Sequence, residues 1–215
     1  MPRALLLWYG GLTLCLSFDP VNRDNWLLAN VLPVLFVLAG VATYRLYRLS
    51  NASYFFLTLF LSLHAIGAHY TYARTPFGFW LNDVLRLGDL TLADGTTAVR
   101  NQYDRIVHFC FGLLLAYPLE ELFRRTTQVK GWLIYYLPIM TVMALAGIWE
   151  IIESLVAQWT QPELGLTFVG YQGDIWDAQE DMAVALYGAT LVMAITIFLR
   201  RVRASAQLAK VVEEQ

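Results

Sequence analysis

The sequence predicts an all-α protein: a polytopic membrane helix bundle with six transmembrane helices. Three observations predict it. Of the 215 residues, 58% are hydrophobic and only 15% charged, against about 25% charged in a soluble domain, and mean hydropathy is +0.49. The charges come in clusters, separated by apolar runs long enough to cross a hydrocarbon core of about 30 Å. A backbone surrounded by lipid must satisfy its own hydrogen bonds, so runs of this length are helices rather than strands. This composition excludes a soluble globular protein, a disordered chain and a disulfide-stapled secreted domain. The formal net charge of −2 and the pI near 5.9 give no bulk basic patch for a nucleic-acid partner. Cys15 and Cys110 fall inside apolar runs, with no metal-ligand spacing and no expected disulfide.

The first helix is expected over about 4–18, stopped by Asp19-Pro20. It is short and follows a single basic residue, Arg3, which raises a signal peptide as the alternative. No small-x-small site precedes Asp19, so a retained helix is expected. The remaining spans are expected over about 26–44, 54–72, 104–123, 132–157 and 175–199. There is no internal repeat, low-complexity tract or second domain. The long connection 73–103 contains Phe79–Leu87, which reads either as a short amphipathic helix on the membrane surface or as a loop with scattered apolar residues.

Basic residues orient the bundle. Arg3, Arg45, Arg48, Arg124, Arg125, Lys130, Arg200, Arg201, Arg203 and Lys210 fall on one side; Arg23, Arg74, Arg86, Arg100 and Arg105 fall on the other. The excess places both termini in the cytoplasm and the 73–103 connection outside.

The ionisable residues then converge on the outer side. Helix three ends there with His69, Tyr70 and Arg74. Helix four starts there with Tyr103, Asp104, Arg105 and His108. Helix five ends with Glu150 and Glu153, and helix six starts with Asp174, Asp177 and Asp181. Asp104 and His108 are four apart and share a face, as do Glu150 and Glu153, three apart; Asp174, Asp177 and Asp181 form one stripe. A charge at the centre of a membrane helix costs about 2.5–3.5 kcal/mol, so six carboxylates within a few turns of one surface require counter-cations. Those on offer are Arg74, Arg105, Arg100, protonated histidine or a metal.

His69 and His108, with Asp177, Asp181 and one of Glu150 or Glu153, make a candidate first shell for a divalent transition metal: Zn, Mn or Fe. Glu150, Glu153 and Asp177 are also the candidate general bases or orienters. Arg74 and Arg105, with Tyr70 and Tyr103 beside them, are candidates to hold an anionic substrate. Each has a simpler alternative. Asp174 is placed to cap helix six, and Glu150 or Glu153 could pair with Arg105. His69 and His108 could each make one interhelical hydrogen bond. His64 reads as a packing histidine. Trp132, Trp149, Trp159 and Trp176 read as interface anchors, and Gly10, Gly11, Gly112 and Gly188 as sites of close helix approach. No phosphate-binding loop, nucleophile elbow, H-E-x-x-H or dinucleotide fingerprint is present.

Four blocks together resemble the YjdF family of bacterial inner-membrane proteins. They are His64-x-x-Gly67-x-His69-Tyr70-Thr71-Tyr72 with Pro76; Asn101-x-Tyr103-Asp104-Arg105-x-x-His108-Phe109 with Gly112; Glu150-x-x-Glu153; and Gly173-Asp174-x-x-Asp177-x-x-x-Asp181-Met182. The resemblance covers about Trp26 to Phe198 and implies a multi-pass protein of the bacterial inner (plasma) membrane, without assigning a chemistry. The last block alone is also similar to VanZ-like proteins. Three functions stay open: a metal-dependent membrane enzyme acting on a lipid or a small envelope-side substrate, a transporter or cation or proton path, and a non-catalytic protein with a salt-bridged polar cluster.

Overall fold

The computed structural model describes residues 2–76, 90–91, 97–98, 100–169 and 172–213. Among them are seven helices: α1 (Pro2–Leu16), α2 (Arg23–Thr43), α3 (Asn51–Tyr70), α4 (Tyr103–Thr126), α5 (Leu133–Trp159), α6 (Pro162–Phe168) and α7 (Asp177–Glu213). A two-residue antiparallel ladder, β1 (Leu90–Thr91) with β2 (Thr97–Ala98), lies in the long connection, where no strand was expected. The expected amphipathic segment 79–87 lies outside the described residues. Five helices, α2, α3, α4, α5 and α7, are long and apolar enough to cross a membrane. At 15 residues, α1 is shorter than the ~20 needed for an untilted span.

Local chemistry sets the helix ends. Asn22 accepts the Asn25 N–H at 2.9 Å and Ser50 accepts the Ser53 N–H at 3.2 Å, so α2 and α3 each begin three residues earlier than hydropathy alone suggests. α3 stops at Tyr70 because Thr71 and Tyr72 adopt left-handed backbone, with φ of 60° and 53°. α6 was not expected; it starts on Pro162, which is preorganised for a first helical turn. α7 runs well past the expected end near 199. The stretch that follows is rich in Ala and Arg and holds no Gly or Pro to stop it.

The bundle is built around α4, which packs against α3, α5 and α7. Its most extensive partner is α7, and the two run parallel. Their seam is made of small residues: Gly112, Ala116, Ala185, Gly188 and Ala189, filled out by Leu115, Val142, Ala146 and Met193. A Cβ on Gly112 would lie 1.9 Å from the Ala185 carbonyl oxygen, and one on Gly188 would lie 2.2 Å from that of Phe109. Nothing lies within 4 Å of a Cβ at Gly10 or Gly11, so these two do not serve the close approach expected of them. Outside the seam the helices present bulky apolar side chains outward; on α2 alone Leu27, Val31, Leu35, Leu38 and Val41 are exposed. That inverted surface is the one a bilayer solvates.

The end of the bundle opposite the acidic cluster is also tied by charge. Glu120 is wholly buried; it pairs with Arg124 one turn on and with Arg200 of α7 at 2.6 and 2.7 Å. Glu121 accepts from the Ser50 N–H and hydroxyl, each at 2.8 Å, and from Ser53 and Arg125. These arginines are therefore more than membrane anchors: they neutralise carboxylates that tie α4 to α3 and α7.

The seam makes a direct prediction. Gly112→Ala or Gly188→Ala forces backbone against backbone and should cost about 1–3 kcal/mol or more. Gly40→Ala, with nothing within 4 Å of its Cβ, should be neutral or slightly stabilising. Unfolding in mixed detergent micelles by SDS titration reads both.

Candidate functional site

The start of α4 is positioned by Asn101, which is fully buried. Its side-chain oxygen accepts the Tyr103 N–H at 3.0 Å, its amide donates to the Thr75 carbonyl at 2.8 Å, and its backbone exchanges hydrogen bonds with Gln172 at 2.8 and 3.1 Å. One residue thus fixes the ends of the segments that follow α3 and precede α7. Tyr103, a candidate substrate residue, instead donates to the Leu63 carbonyl of α3 at 2.8 Å.

Arg100 and Arg105 face the acidic start of α7. Arg100 contacts Asp174 at 2.9 Å and pairs with Asp177. Arg105 reaches Asp174 at 2.8 Å and Asp177 at 3.3 Å, and pairs with Glu180. Its Nε lies 3.0 Å from Asp181 Oδ1, but the N–H is not directed at it, and neither atom has a hydrogen-bond partner among the described residues. Asp174 does more than cap: one oxygen takes the Trp176 N–H at 2.9 Å, the other serves both arginines. The pairing of Arg105 with Glu150 or Glu153 weighed from the sequence gives way to pairing with α7, because the Gly112–Gly188 seam brings the parallel neighbour closest.

One step deeper the guanidinium groups give way to histidine. His108 Nε2 lies 3.6 Å from Asp104 Oδ1 and 3.8 Å from Glu150 Oε1. These separations exceed a hydrogen bond. Among the described residues, His108, Glu150 and Asp181 each offer one ligand atom, all within 4.8 Å of one another. Glu150 Oε1 and Asp181 Oδ1 are buried without a hydrogen-bond partner among those residues. A carboxylate oxygen in that position is costly unless a proton or a cation completes it.

His69 is not in this group. Its Nδ1 hydrogen-bonds the Leu16 carbonyl at 2.8 Å, capping the end of α1, and its ring meets Tyr70 edge-on at 4.6 Å. Arg74 is exposed at the same end of the bundle. Asp177 sits among the arginines rather than beside His108's open side. Glu153 is buried and lines a cavity of about 260 Å³ together with Asp104 and His108.

The same cavity is lined by His64 and Tyr72, whose roles hydropathy hid. Pro33 has no N–H, so the Ala29 carbonyl one turn earlier in α2 loses its helical partner. His64 Nε2 takes that carbonyl at 3.0 Å. Nε2 must therefore carry the proton, which leaves Nδ1 to accept from the Tyr72 hydroxyl at 2.6 Å. The Tyr72 hydroxyl is therefore the donor of the pair. The left-handed turn at Thr71–Tyr72 folds the ring back over Gly67, where a Cβ would lie 2.7 Å from it. Left-handed backbone at two residues that are not glycine is strain of the kind that clusters at functional sites. Trp149, expected as an anchor, lines the cavity edge-on to His64 at 6.2 Å, while Trp132, Trp159 and Trp176 are exposed.

With this geometry in view, comparison with known proteins places the chain. A family model described as "Predicted membrane protein (DUF2238)" matches residues 1–202. The chain belongs to that membrane-protein family. It is 33% identical over 198 residues to the inner membrane protein YjdF of Escherichia coli (strain K12), covering 88% of this chain and 86% of that protein. No solved structure matches. The five membrane-length helices agree with that description, and the polar cluster falls inside the matched region. The signal for Arg100 and Glu180 was available in the charge pattern. The signal for His64 and Tyr72 was a proline within an apolar run, four residues after a residue with nothing else to distinguish it.

Removing one cation should expose the cost of the cluster. Arg105→Leu leaves Asp174, Asp177 and Asp181 short of a partner and should lose about 3–5 kcal/mol of stability. Pairing it with Asp181→Asn should recover part of that loss, a coupling read by a double-mutant unfolding cycle.

Proposed function

We propose that the chain is a six-span protein of the bacterial inner membrane, with both termini cytoplasmic, that holds a divalent transition metal on His108, Glu150 and Asp181 and uses it on an amphiphilic, envelope-side substrate. α1 is assigned as a short sixth span, accommodated by local thinning of the bilayer, and the distribution of Arg and Lys gives the orientation. The observation that carries the site is the grouping of His108 with two buried carboxylate oxygens that have no hydrogen-bond partner among the described residues: Glu150 Oε1, and Asp181 Oδ1, which Arg105 Nε approaches at 3.0 Å without directing its N–H at it.

One imidazole and two carboxylates suit Zn, Mn or Fe, with ligand bonds near ~2.0–2.2 Å for zinc. The spread of the three ligand atoms leaves room for an ion between them. Asp104, one turn before His108 on α4, lies on the same Nε2 side of the ring as Glu150, so it would stand beside a bound ion rather than orient the imidazole from its other nitrogen. Glu153 faces the cavity from α5 and is placed as the general base. A metal here would acidify a bound water or polarise a phosphoryl or carbonyl oxygen. Arg105 is taken up by carboxylates, so its contribution is to hold α7 in place, and Arg74 with Tyr70 remains the candidate to meet an anionic group at the rim. Asp177 pairs with Arg100 and Arg105 and so belongs to the arginine layer.

Elemental analysis of protein purified in mild detergent, without chelator or metal-affinity column, tests this. The expected result is one transition-metal ion per chain, lost in His108→Ala and Asp181→Asn and retained in His69→Ala. Folded wild-type protein with no metal above background would overturn the assignment and leave the arginines as the site's counter-cations.

A further inference from the structure

We infer that the cavity beside His108 holds one acyl chain of a membrane phospholipid, admitted sideways from the bilayer between α2 and α5. The inference rests on the site reading above only for what happens at the polar end; the occupant is argued from the cavity itself.

The mouth is formed by Leu32 and Phe36 of α2 and by Leu145 and Ile148 of α5. All four are exposed on the outer surface, at 41%, 49%, 39% and 52%. They stand near the middle of their helices, which run Arg23–Thr43 and Leu133–Trp159. The opening is therefore level with hydrocarbon rather than with head groups, and what stands outside it is lipid tails. Behind the mouth, Phe60 and Phe111 continue the apolar wall. At about 260 Å³ the space exceeds an apolar cavity of ~150 Å³ that stays dry and takes up benzene. Tails are its natural filling.

The gap exists because α2 leans away from the core. Among the described elements it contacts α3 and α6, while α4 and α5 contact each other. The buried Pro33 faces the space, and α2 is tied across to α3 through the Ala29–His64 bond.

Polarity along the cavity runs as it does along a lipid. The polar end holds Asp104, His108, Glu153 and the Tyr72–His64 pair. His108 lies five residues past the start of α4, about 7.5 Å in at 1.5 Å per residue. A chain whose ester or head group sits at His108 would run its tail down the phenylalanine wall and out through the mid-bilayer mouth, keeping every part at its ordinary depth. No deep extraction of a charged head group is needed. This names the substrate class of the site as an acyl-chain amphiphile whose polar linkage reaches His108.

The test is photolabelling of the full chain in phosphatidylethanolamine–phosphatidylglycerol vesicles containing a trace of phosphatidylglycerol with a diazirine midway along one acyl chain. Adducts are mapped by peptide mass spectrometry. Adducts on the inward-facing Phe60, Phe111 and Trp149 are expected, and their loss is expected in Leu32→Trp/Ile148→Trp, with labelling of the outward-facing Leu35 and Phe55 unchanged. Wild-type adducts confined to outward-facing residues would overturn the proposal, a result that needs no variant to fold. Interior adducts persisting in the folded double variant would overturn the lateral route. Metal content is measured on the same preparation. Interior labelling without metal would overturn the metal assignment alone, and metal without interior labelling would overturn the lipid occupant alone.

Discussion

The close crossing of α4 and α7 is the constraint on which the rest of the molecule depends. Gly112 and Gly188 each put a missing side chain against the other helix's backbone. At that distance the residues two or three turns away are committed to one another. Toward the N-terminal ends these are Arg105 and the acidic stripe of α7; toward the other end they are Glu120 and Arg200. The bundle is thus a dry, small-residue seam with an ion pair closing each end. Without a hydrophobic drive between helices in lipid, packing and polar contacts must supply the cohesion, and this pair uses both.

The charge arrangement at the acidic end has two layers with different chemistry. The layer nearer the helix ends is matched: guanidinium groups with several donors meet carboxylates with several acceptors. The layer one turn deeper is under-matched, with a histidine among acids, Arg105 reaching only Asp181, and carboxylate oxygens without a hydrogen-bond donor among the described residues. A protein selected only for stability would extend the matched layer, or replace the deeper acids with apolar residues. The abrupt change from one layer to the next is what supports the proposed metal-site reading over a structural salt-bridge knot.

How much of this the sequence carried depends on the kind of signal. Helix positions came through because hydropathy over some 20 residues is a strong average, and Gly112 and Gly188 were recognisable as small residues in apolar runs. The α7 stripe was legible because its spacing matches one helical face. His69 and His108 could not be told apart: both are histidines at a helix end on the same side. What separates them is that His69 finds a free C-terminal carbonyl at Leu16, a fact of chain crossing with no local trace. α6 was missed because seven residues carry too little periodicity. Arg105 was legible as a counter-cation but not its choice of α7 over α5, because partner choice is decided by which helix lies nearest, and hydropathy does not rank neighbours.

The proline of α2 carries a consequence for biogenesis. A helix entering hydrocarbon with an unpaired carbonyl at Ala29 bears a penalty that water no longer offsets. Its remedy is an imidazole on the next helix, beyond a connection of only residues 44–50. α2 is therefore poorly suited to settle in the bilayer by itself and well suited to enter as a hairpin with α3. The order in which the ribosome delivers these two helices matches the order in which the defect arises and is repaired.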